Sequence, residues 1–234
     1  MLTERLRSIV DWEHPATAAQ GANYLALLSE LRAALPSPRS LLTTALPTGA
    51  YVLKHLDLPA LAEVLDYLNL MAYDFTGAWT EVSGHHAQLL PPAGDPADAH
   101  HVLRASAVGG LEYLAAHGFP AGKTVLGLPA YARYFPGARA AGHPFGQAGE
   151  MEYCDLPGEW VGSAAVDGHS AAASWVDDGG KGFVSFDVPE TARIKARYVK
   201  AMSLAGIFYW TGTGDQPGEQ SLVAASYEEL NSGW

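Results

Sequence analysis

Short apolar runs alternate along the chain with longer segments of helical periodicity. Runs of this length, bounded by turn residues, predict buried strands. The runs lie at 8–12, 41–47, 66–75, 123–131 and 205–212. Strands that alternate with helices in this way are typical of a parallel sheet covered by helices.

The segments between these runs carry helix signals. Residues 16–36 place apolar side chains at helical spacing, and this predicts a helix with one apolar face. That face comprises Tyr24, Leu27, Leu28, Leu31 and Leu35. Further helices are expected at 58–65, from Asp98 to His117 with Gly118 as its stop, and from Pro189 to 203.

Residues 132–186 differ from the rest of the chain. They are rich in glycine and aromatic residues, lack helical periodicity, and are far longer than an ordinary loop of about 2 to 6 residues. They predict an inserted α+β subdomain with strands near 150–156, 172–178 and 182–187. The expected division is therefore 1–131 and 187–234 for the main domain, and 132–186 for the insertion.

The five strands outside the insertion predict an α/β fold, a partial (β/α)8 barrel. A closed barrel has eight strands in about 250 residues, so about three strand-helix units are lacking from this count. We therefore expect an N-terminally truncated barrel with two unpaired sheet edges, which favour aggregation or pairing with another chain. Activity of such a chain on its own is in doubt.

Composition removes several classes of function. The chain has 234 residues, 14 basic and 25 acidic, with a formal charge of −11, so nucleic acid and anionic membranes are poor partners. No apolar run is long enough for a membrane span, and the charged N-terminus contains no visible signal peptide. The single Cys154 excludes an intrachain disulfide, and we expect it to be a small buried residue.

Polar and aromatic side chains cluster where the predicted strands end, which is where parallel barrels carry their functional groups. Asp11 and Glu13 are two residues apart, so they face one side of a strand while Trp12 faces the other. The other candidates at strand ends are Met71, Tyr73, Asp74, Tyr131, Arg133 and Trp210.

Five stretches of the sequence resemble, in their order and spacing, the family-18 glycoside hydrolases, the chitinases. They are "DWEHP", "LNLMAYDFTGAW", "SGHHAQL", "VLGLPAYAR" and "GIFYWTGTGD". The stretches "YDFTGAWTEVSGHHAQL" and "FYWTGTGD" look most like fungal members. The resemblance covers essentially the whole chain after Val10. It implies an extracellular glycosidase that cleaves β-1,4-linked N-acetylglucosamine, with chitin or its oligosaccharides as partner and no metal or organic cofactor.

The resemblance also implies roles for individual residues. Glu13 would be the general acid, Asp11 would hold the substrate's acetamido N–H, and Tyr73 would donate to the acetamido carbonyl. The substrate's own acetamido oxygen then replaces the second carboxylate of ordinary glycosidases. Asp11 would also raise the pKa of the neighbouring Glu13, as like charges do. The substrate-binding residues implied are Met71, Asp74, Trp79, Tyr131, Arg133 and Trp210, the last as the floor under the sugar ring.

One departure from the family's pattern opens alternatives. Leu6 and Ile9 stand where the family has aspartates, and Ile9 removes a proton-exchange partner of Asp11. This favours a chitin-binding protein of the same fold without catalysis, whereas Glu13 favours the enzyme. An incomplete gene product is a further alternative. The oligomeric state is open.

Several site residues also have structural interpretations. Asp11 and Glu13 could end an ordinary surface strand, Tyr73 and Trp210 could be core aromatics, and Arg133 could pair with an acid of the insertion. Four loop histidines could suggest a metal site, but without carboxylates at ligand spacing a solvated or structural role is expected. They are His85, His86, His100 and His101.

Overall fold

The computed structural model describes residues 6–94 and 100–233. The strands are β1 (Leu6–Val10), β2 (Ser40–Pro47), β3 (Tyr67–Met71), β4 (Thr124–Pro129), β5 (Tyr131–Phe135), β6 (Gly149–Glu152), β7 (Ala165–Asp167), β8 (Ala172–Asp177), β9 (Gly182–Phe186) and β10 (Gly206–Trp210). The helices are α1 (Ala18–Ala34), α2 (Ala50–Leu53), α3 (Leu58–Val64), α4 (Ala107–Ala116), α5 (Gly158–Gly162), α6 (Pro189–Ala201) and α7 (Leu222–Asn231).

The first sheet contains the five predicted parallel strands in the order β1-β2-β3-β4-β10. Every neighbouring pair in it is parallel. Helices connect the strands, and this is the arrangement of a partial (β/α)8 barrel, as predicted. Among the described residues, β1 and β10 each pair with one neighbour only.

Helix α1 covers this sheet with part of its predicted face. Thr17 caps its first turn by accepting from the backbone N–H of Gln20, and Tyr24 and Leu28 are fully buried. The prediction for Leu27 is wrong, because its side chain is 45% exposed. Because successive helical residues are rotated by about 100°, Leu27 lies beside the face that Tyr24 and Leu28 define and not on it.

Helix α4 starts later than the sequence predicts. Its N-cap is Ser106, whose hydroxyl accepts from the backbone N–H of Gly109. A separate 3-10 turn spans residues 101–104, and Asp98 lies outside the described residues. Gly118 has φ +84°, the left-handed conformation that stops the helix as predicted. Pro189 opens α6, also as predicted.

The second sheet is antiparallel, in the order β6-β5-β9-β8-β7. The three strands expected in the insertion are present as β6, β8 and β9, whereas β5 and β7 were not predicted. The run 123–131 does not form one strand: Ala130 breaks it, donating its N–H to Trp210 of the first sheet and accepting from Tyr153. We keep 132–186 as the proposed limits of the insertion.

Two main buried clusters form the core, and one of them joins the two sheets. One buried cluster joins α1, β2, α3 and β3, and another runs from β4 through the second sheet to α6 and α7. Lys195 of α6 forms a buried ion pair with Asp187, which directly follows β9. This pair connects the end of the second sheet to the helix that leads back to the first sheet. Among the described residues, no helix is long and apolar enough to span a membrane.

The prediction for Cys154 is wrong, because this side chain is exposed. Cys154 lies in a short 3-10 turn beside Tyr153, whose ring is fully buried. The turn directs the larger aromatic side chain into the core and the neighbouring thiol toward solvent.

Candidate active site

The carboxyl ends of the parallel strands open into a cavity of about 1040 Å³. Its walls come from loops after β1, β2 and β3, from β6 of the second sheet, and from the end of β10. The cavity brings together all nine residues that the sequence predicts for the site, namely Asp11, Glu13, Met71, Tyr73, Asp74, Trp79, Tyr131, Arg133 and Trp210. The roles of these residues stay predictions.

Asp11 and Glu13 lie past the end of their strand rather than on it. Strand β1 ends at Val10, but the alternation continues: both carboxylates face the cavity, and Trp12 packs against Tyr24 with ring centroids 5.7 Å apart. Both carboxylates are exposed, and within residues 6–94 and 100–233 neither accepts a hydrogen bond. They are therefore free to meet a ligand.

Two neighbours modify this carboxylate pair. His14 places its Nε2 atom 3.6 Å from Oε2 of Glu13. Ile9, two residues before Asp11, also lines the cavity and is 65% exposed. An apolar side chain therefore occupies the position next to Asp11, as the sequence indicated, and it gives Asp11 no polar partner.

Tyr73 lines the cavity close enough to Asp74, Glu13 and Asp11 to feel their charges. Burial raises the pKa of its hydroxyl strongly, and the negative charges of Asp74, Glu13 and Asp11 raise it further. The ring edge contacts Tyr131, at a centroid distance of 6.1 Å. The phenol keeps its proton across the physiological pH range, so it can act as a hydrogen-bond donor near these acids.

Asp74 has three polar neighbours in the site, Tyr131, Arg133 and His86. Its backbone has φ +60°, a left-handed conformation that aspartate tolerates better than most residues. Its Oδ1 atom accepts from the Tyr131 hydroxyl and from Nε of Arg133, each at 2.8 Å. Burial would raise the pKa of Asp74, but the interactions with His86 and Arg133 outweigh it and hold the pKa well below its usual range.

Arg133 links the barrel to the second sheet. Besides Asp74, it pairs with Glu150 of β6, from Nη1 to Oε2 at 3.0 Å. Its guanidinium also lies over the ring of Trp79, 4.8 Å from the centroid. The structural interpretation of Arg133 is thus confirmed, since it pairs with an acid of the insertion, and the same side chain still lines the cavity.

Two tryptophans offer open surfaces at the cavity. Trp210, the last residue of β10, is 55% exposed, and Trp79 is 59% exposed. The interpretation of Trp210 as a core aromatic is therefore wrong. Flat apolar faces beside carboxylates and an arginine suit a ligand that has both apolar ring faces and polar edges.

The loop histidines do not form a cluster with carboxylates. His100 pairs with Glu81 at 3.1 Å, and Nδ1 of His85 lies 3.2 Å from the Ser185 hydroxyl. In the described part of the chain, no group of three or more potential ligands could hold a metal ion. His86 behaves differently, because it is fully buried directly behind Asp74.

Sequence reasoning missed several residues that line the cavity or support it. Tyr51 and His14 follow strand ends, and they could have been found by the rule that selected the other candidates. The carboxylates of Glu150 and Glu152 come from the insertion, whose strand alternation was not assigned to a face. His86 gave no sequence signal beyond the histidine doublet. The missed residues are His14, Tyr51, His86, Glu150 and Glu152.

The model of the glycosyl hydrolases family 18 matches residues 10–215. Endochitinase 1 of Metarhizium anisopliae is 32% identical over 94% of this chain and 54% of its own length, so the chain spans about half of that relative. The Ostrinia furnacalis Group IV chitinase has a TM-score of 0.84 at 25% identity, covering 96% of this chain and 68% of that one.

A class V chitinase from Nicotiana tobaccum, solved in complex with NAG4, has a TM-score of 0.81 at 28% identity. This comparison covers 96% of this chain and 68% of the tobacco chain.

Proposed function

Because this chain belongs to family 18 of the glycosyl hydrolases, we propose that its cavity binds chitin chains and hydrolyses the β-1,4 bonds between N-acetylglucosamine units. One observation carries the proposal: Asp11 and Glu13, two exposed acids that accept no hydrogen bond from the described residues, share a cavity with the protonated hydroxyl of Tyr73. This combination offers an acid, an acceptor for an amide N–H and a donor for a carbonyl.

In the first step, Glu13 transfers its proton to the oxygen of the bond being cleaved. The bond from that oxygen to C1 breaks, and the leaving sugar departs as an alcohol. Glu13 is exposed to the cavity and accepts no hydrogen bond from the described residues, so its carboxyl group can approach the glycosidic oxygen. After this step Glu13 is a carboxylate.

The positive charge that develops at C1 is met by the substrate itself. The carbonyl oxygen of the acetamido group bonds to C1, while Asp11 accepts from the acetamido N–H and Tyr73 donates to the same carbonyl oxygen. Water then adds to C1 with Glu13 as base, which restores the acetamido group and the protonated Glu13. The product keeps the β configuration.

The remaining residues hold the sugar chain. Trp210 and Trp79 offer ring faces for the apolar sides of two sugars, and Asp74 and Arg133 bind hydroxyl or acetamido groups at their edges. Met71 and Tyr131 complete the wall between them. No cofactor is needed, since both reacting groups come from Glu13 and the substrate. By resemblance to the family, the proposal includes an extracellular location.

A second candidate function is favoured by Ile9. This side chain occupies the cavity wall beside Asp11 and is 65% exposed, so no carboxylate is present there to exchange a proton with Asp11. A protein that binds chitooligosaccharides without cleaving them would keep the tryptophan surfaces and the Asp74 contacts and would not depend on Glu13.

Hydrolysis and binding of chitotetraose, measured together, separate the two candidates. We expect the wild-type chain to release shorter oligosaccharides and Glu13→Gln to bind with similar affinity while losing hydrolysis by about a thousandfold, because the amide cannot donate the proton. Glu63→Gln, at an exposed site on α3, is the matched control and should remain active. Binding without hydrolysis by the wild type would favour the second candidate, and absence of both would contradict the proposed function.

A further inference from the structure

His86 is buried completely, although no step of the proposed reaction uses it. Its ring lies against that of Tyr131, with centroids 5.2 Å apart, and its Nδ1 atom is 3.7 Å from Oδ1 of Asp74. Among the residues that the structure describes, neither ring nitrogen has a hydrogen-bond partner. A buried polar ring without partners is costly, so its place behind a substrate-facing carboxylate calls for a reason.

The charges around the ring fix its protonation state. Burial lowers the pKa of His86, the Asp74 carboxylate opposes this, the Arg133 guanidinium lowers it further, and Asp187 opposes it again. The net direction is downward, so the ring of His86 is neutral at neutral pH.

A neutral imidazole carries its proton on one of two nitrogens, and here the neighbours decide which. If Nδ1 were unprotonated, its lone pair would face the Oδ1 atom of Asp74, and two electron-rich atoms would oppose each other inside the protein. With the proton on Nδ1, a donor faces the carboxylate. The separation of 3.7 Å is beyond a full hydrogen bond, but a small shift of the carboxylate would close it.

The two oxygens of Asp74 are treated unequally. Oδ1 accepts hydrogen bonds from Tyr131 and Arg133, and the same oxygen is 3.7 Å from Nδ1 of His86. In the described part of the chain, no hydrogen bond reaches Oδ2, although Asp74 lines the cavity with 37% of its side chain exposed. Donors on one side of a carboxylate fix its rotation and leave the other oxygen directed to the ligand.

We propose that His86 is a positioning residue for Asp74, whose Nδ1–H faces Oδ1 from the buried side and keeps Oδ2 turned toward the bound sugar. This rests on the proposed function for the identity of the ligand. His86 touches no substrate atom; it acts through the orientation of the Asp74 carboxylate. The protein thereby uses a neutral donor where a second cation would compete with Arg133 for the same oxygen.

The tautomer is tested by long-range proton–nitrogen NMR of the full chain with ¹⁵N-labelled histidines at pH 7. The signals of His86 are identified as those lost in His86→Gln. We expect a neutral ring protonated at Nδ1. A ring protonated at Nε2, or a doubly protonated ring, would overturn the proposal whether or not the chain cleaves chitin.

The effect on the ligand is tested by the affinity for chitotetraose. His86→Leu should weaken binding about fivefold, as loss of one modest hydrogen bond does, whereas His86→Gln keeps an amide donor and should restore most of it. The matched control is Gln88→Leu, which removes a buried polar side chain of the same loop that bonds to the Ala105 carbonyl and does not contact Asp74.

The variants distinguish positioning from a general loss of structure. Affinity unchanged in His86→Leu, or reduced equally in Gln88→Leu, would overturn the proposal. If the wild type does not bind chitotetraose at all, the proposed function fails instead, and the NMR tautomer then decides the role of His86.

Discussion

The two walls of the cavity are built in opposite ways. The open wall, defined by Ile9, Asp11 and Glu13, follows β1 and carries exposed side chains without hydrogen bonds from the described residues. The packed wall, defined by Asp74, His86, Tyr131 and Arg133, is buried or partly buried and cross-linked, with the Tyr131 hydroxyl and Nε of Arg133 both donating to one carboxylate oxygen.

Under the proposed function, the residues of the open wall react with or hold the reacting group, and those of the packed wall orient the sugar. Carboxylates that must exchange protons or accept a moving amide gain from being unpaired, because each existing hydrogen bond would have to be broken first. A carboxylate that only orients a sugar gains from being fixed. We therefore expect substitutions in the open wall to change hydrolysis with little effect on stability, and substitutions in the packed wall to change stability first.

The largest effect is expected for Asp11→Asn. The amide cannot accept the acetamido N–H as the carboxylate does, so hydrolysis of chitotetraose should fall by about two to three orders of magnitude, the loss typical of removing one group that stabilises a transition state. The free energy of unfolding should change by less than about 0.5 kcal/mol, since the side chain is exposed. The control is Asp178→Asn at an exposed ion pair; equal losses in both variants would contradict a role for Asp11.

Acidification should destabilise the fold next, through His85, the chain neighbour of His86 in the packed wall. Burial lowers the pKa of His85 from its ordinary value to about 4. His85 of the unfolded chain therefore binds a proton near pH 6.5, whereas in the folded chain it binds one only near pH 4. The stability that is present above pH 6.5 is lost as the pH falls from 6.5 to 4. The free energy of unfolding should fall by about 3 kcal/mol at most.

Urea unfolding at a series of pH values from 7 to 4.5 measures this loss. His85→Gln should flatten the pH dependence of the unfolding free energy, because the amide does not titrate. Identical curves for wild type and His85→Gln would show that another group is responsible.

Arg133→Leu should lower the free energy of unfolding by about 2 kcal/mol, because it leaves the partly buried Asp74 carboxylate without its cation. Arg139→Leu is the matched control. Its partner Asp178 and its own side chain are both exposed, so a change within about 0.5 kcal/mol is expected. Urea unfolding at pH 7 compares them; similar small losses in both would mean that the packed wall is no more rigid than the surface.

Trp210→Ala tests an exposed ring of the cavity that belongs to neither wall. Removing an exposed ring that supports a sugar should weaken chitotetraose binding about tenfold, with stability nearly unchanged. Tyr227→Ala removes an exposed ring of α7 that does not line the cavity and should leave the affinity unchanged. Titration calorimetry measures both, and unaltered affinity in Trp210→Ala would exclude the ring from the binding surface.

Much of the fold was predictable from sequence because it depends on local periodicity. The parallel strands, α1, α3 and α6 follow apolar spacing and caps that neighbouring residues supply. The predicted strand at 123–131 was wrong in its extent, since Ala130 bonds to both sheets and so divides β4 from β5. That division depends on partners from Trp210 and Tyr153, which are far away in sequence.

The site divides along the same line as the walls. The open wall was predictable, since Asp11 and Glu13 lie at a strand end with an alternation that persists beyond it. The partners of Asp74 in the packed wall were predictable only as separate candidates. The Oδ1 atom of Asp74 accepts from Tyr131 and Arg133 and lies near His86 only because folding brings three segments of the chain together.

The proposed mechanism is tested most directly by ¹H NMR of chitotetraose during the first minutes of hydrolysis by the wild-type chain. The signal to follow is the anomeric proton of the newly formed reducing end. If the substrate's acetamido oxygen takes part and Glu13 acts first as acid and then as base, the β anomer appears first and later equilibrates. An initial α anomer, or cleavage that continues unchanged in Glu13→Gln, would contradict the account.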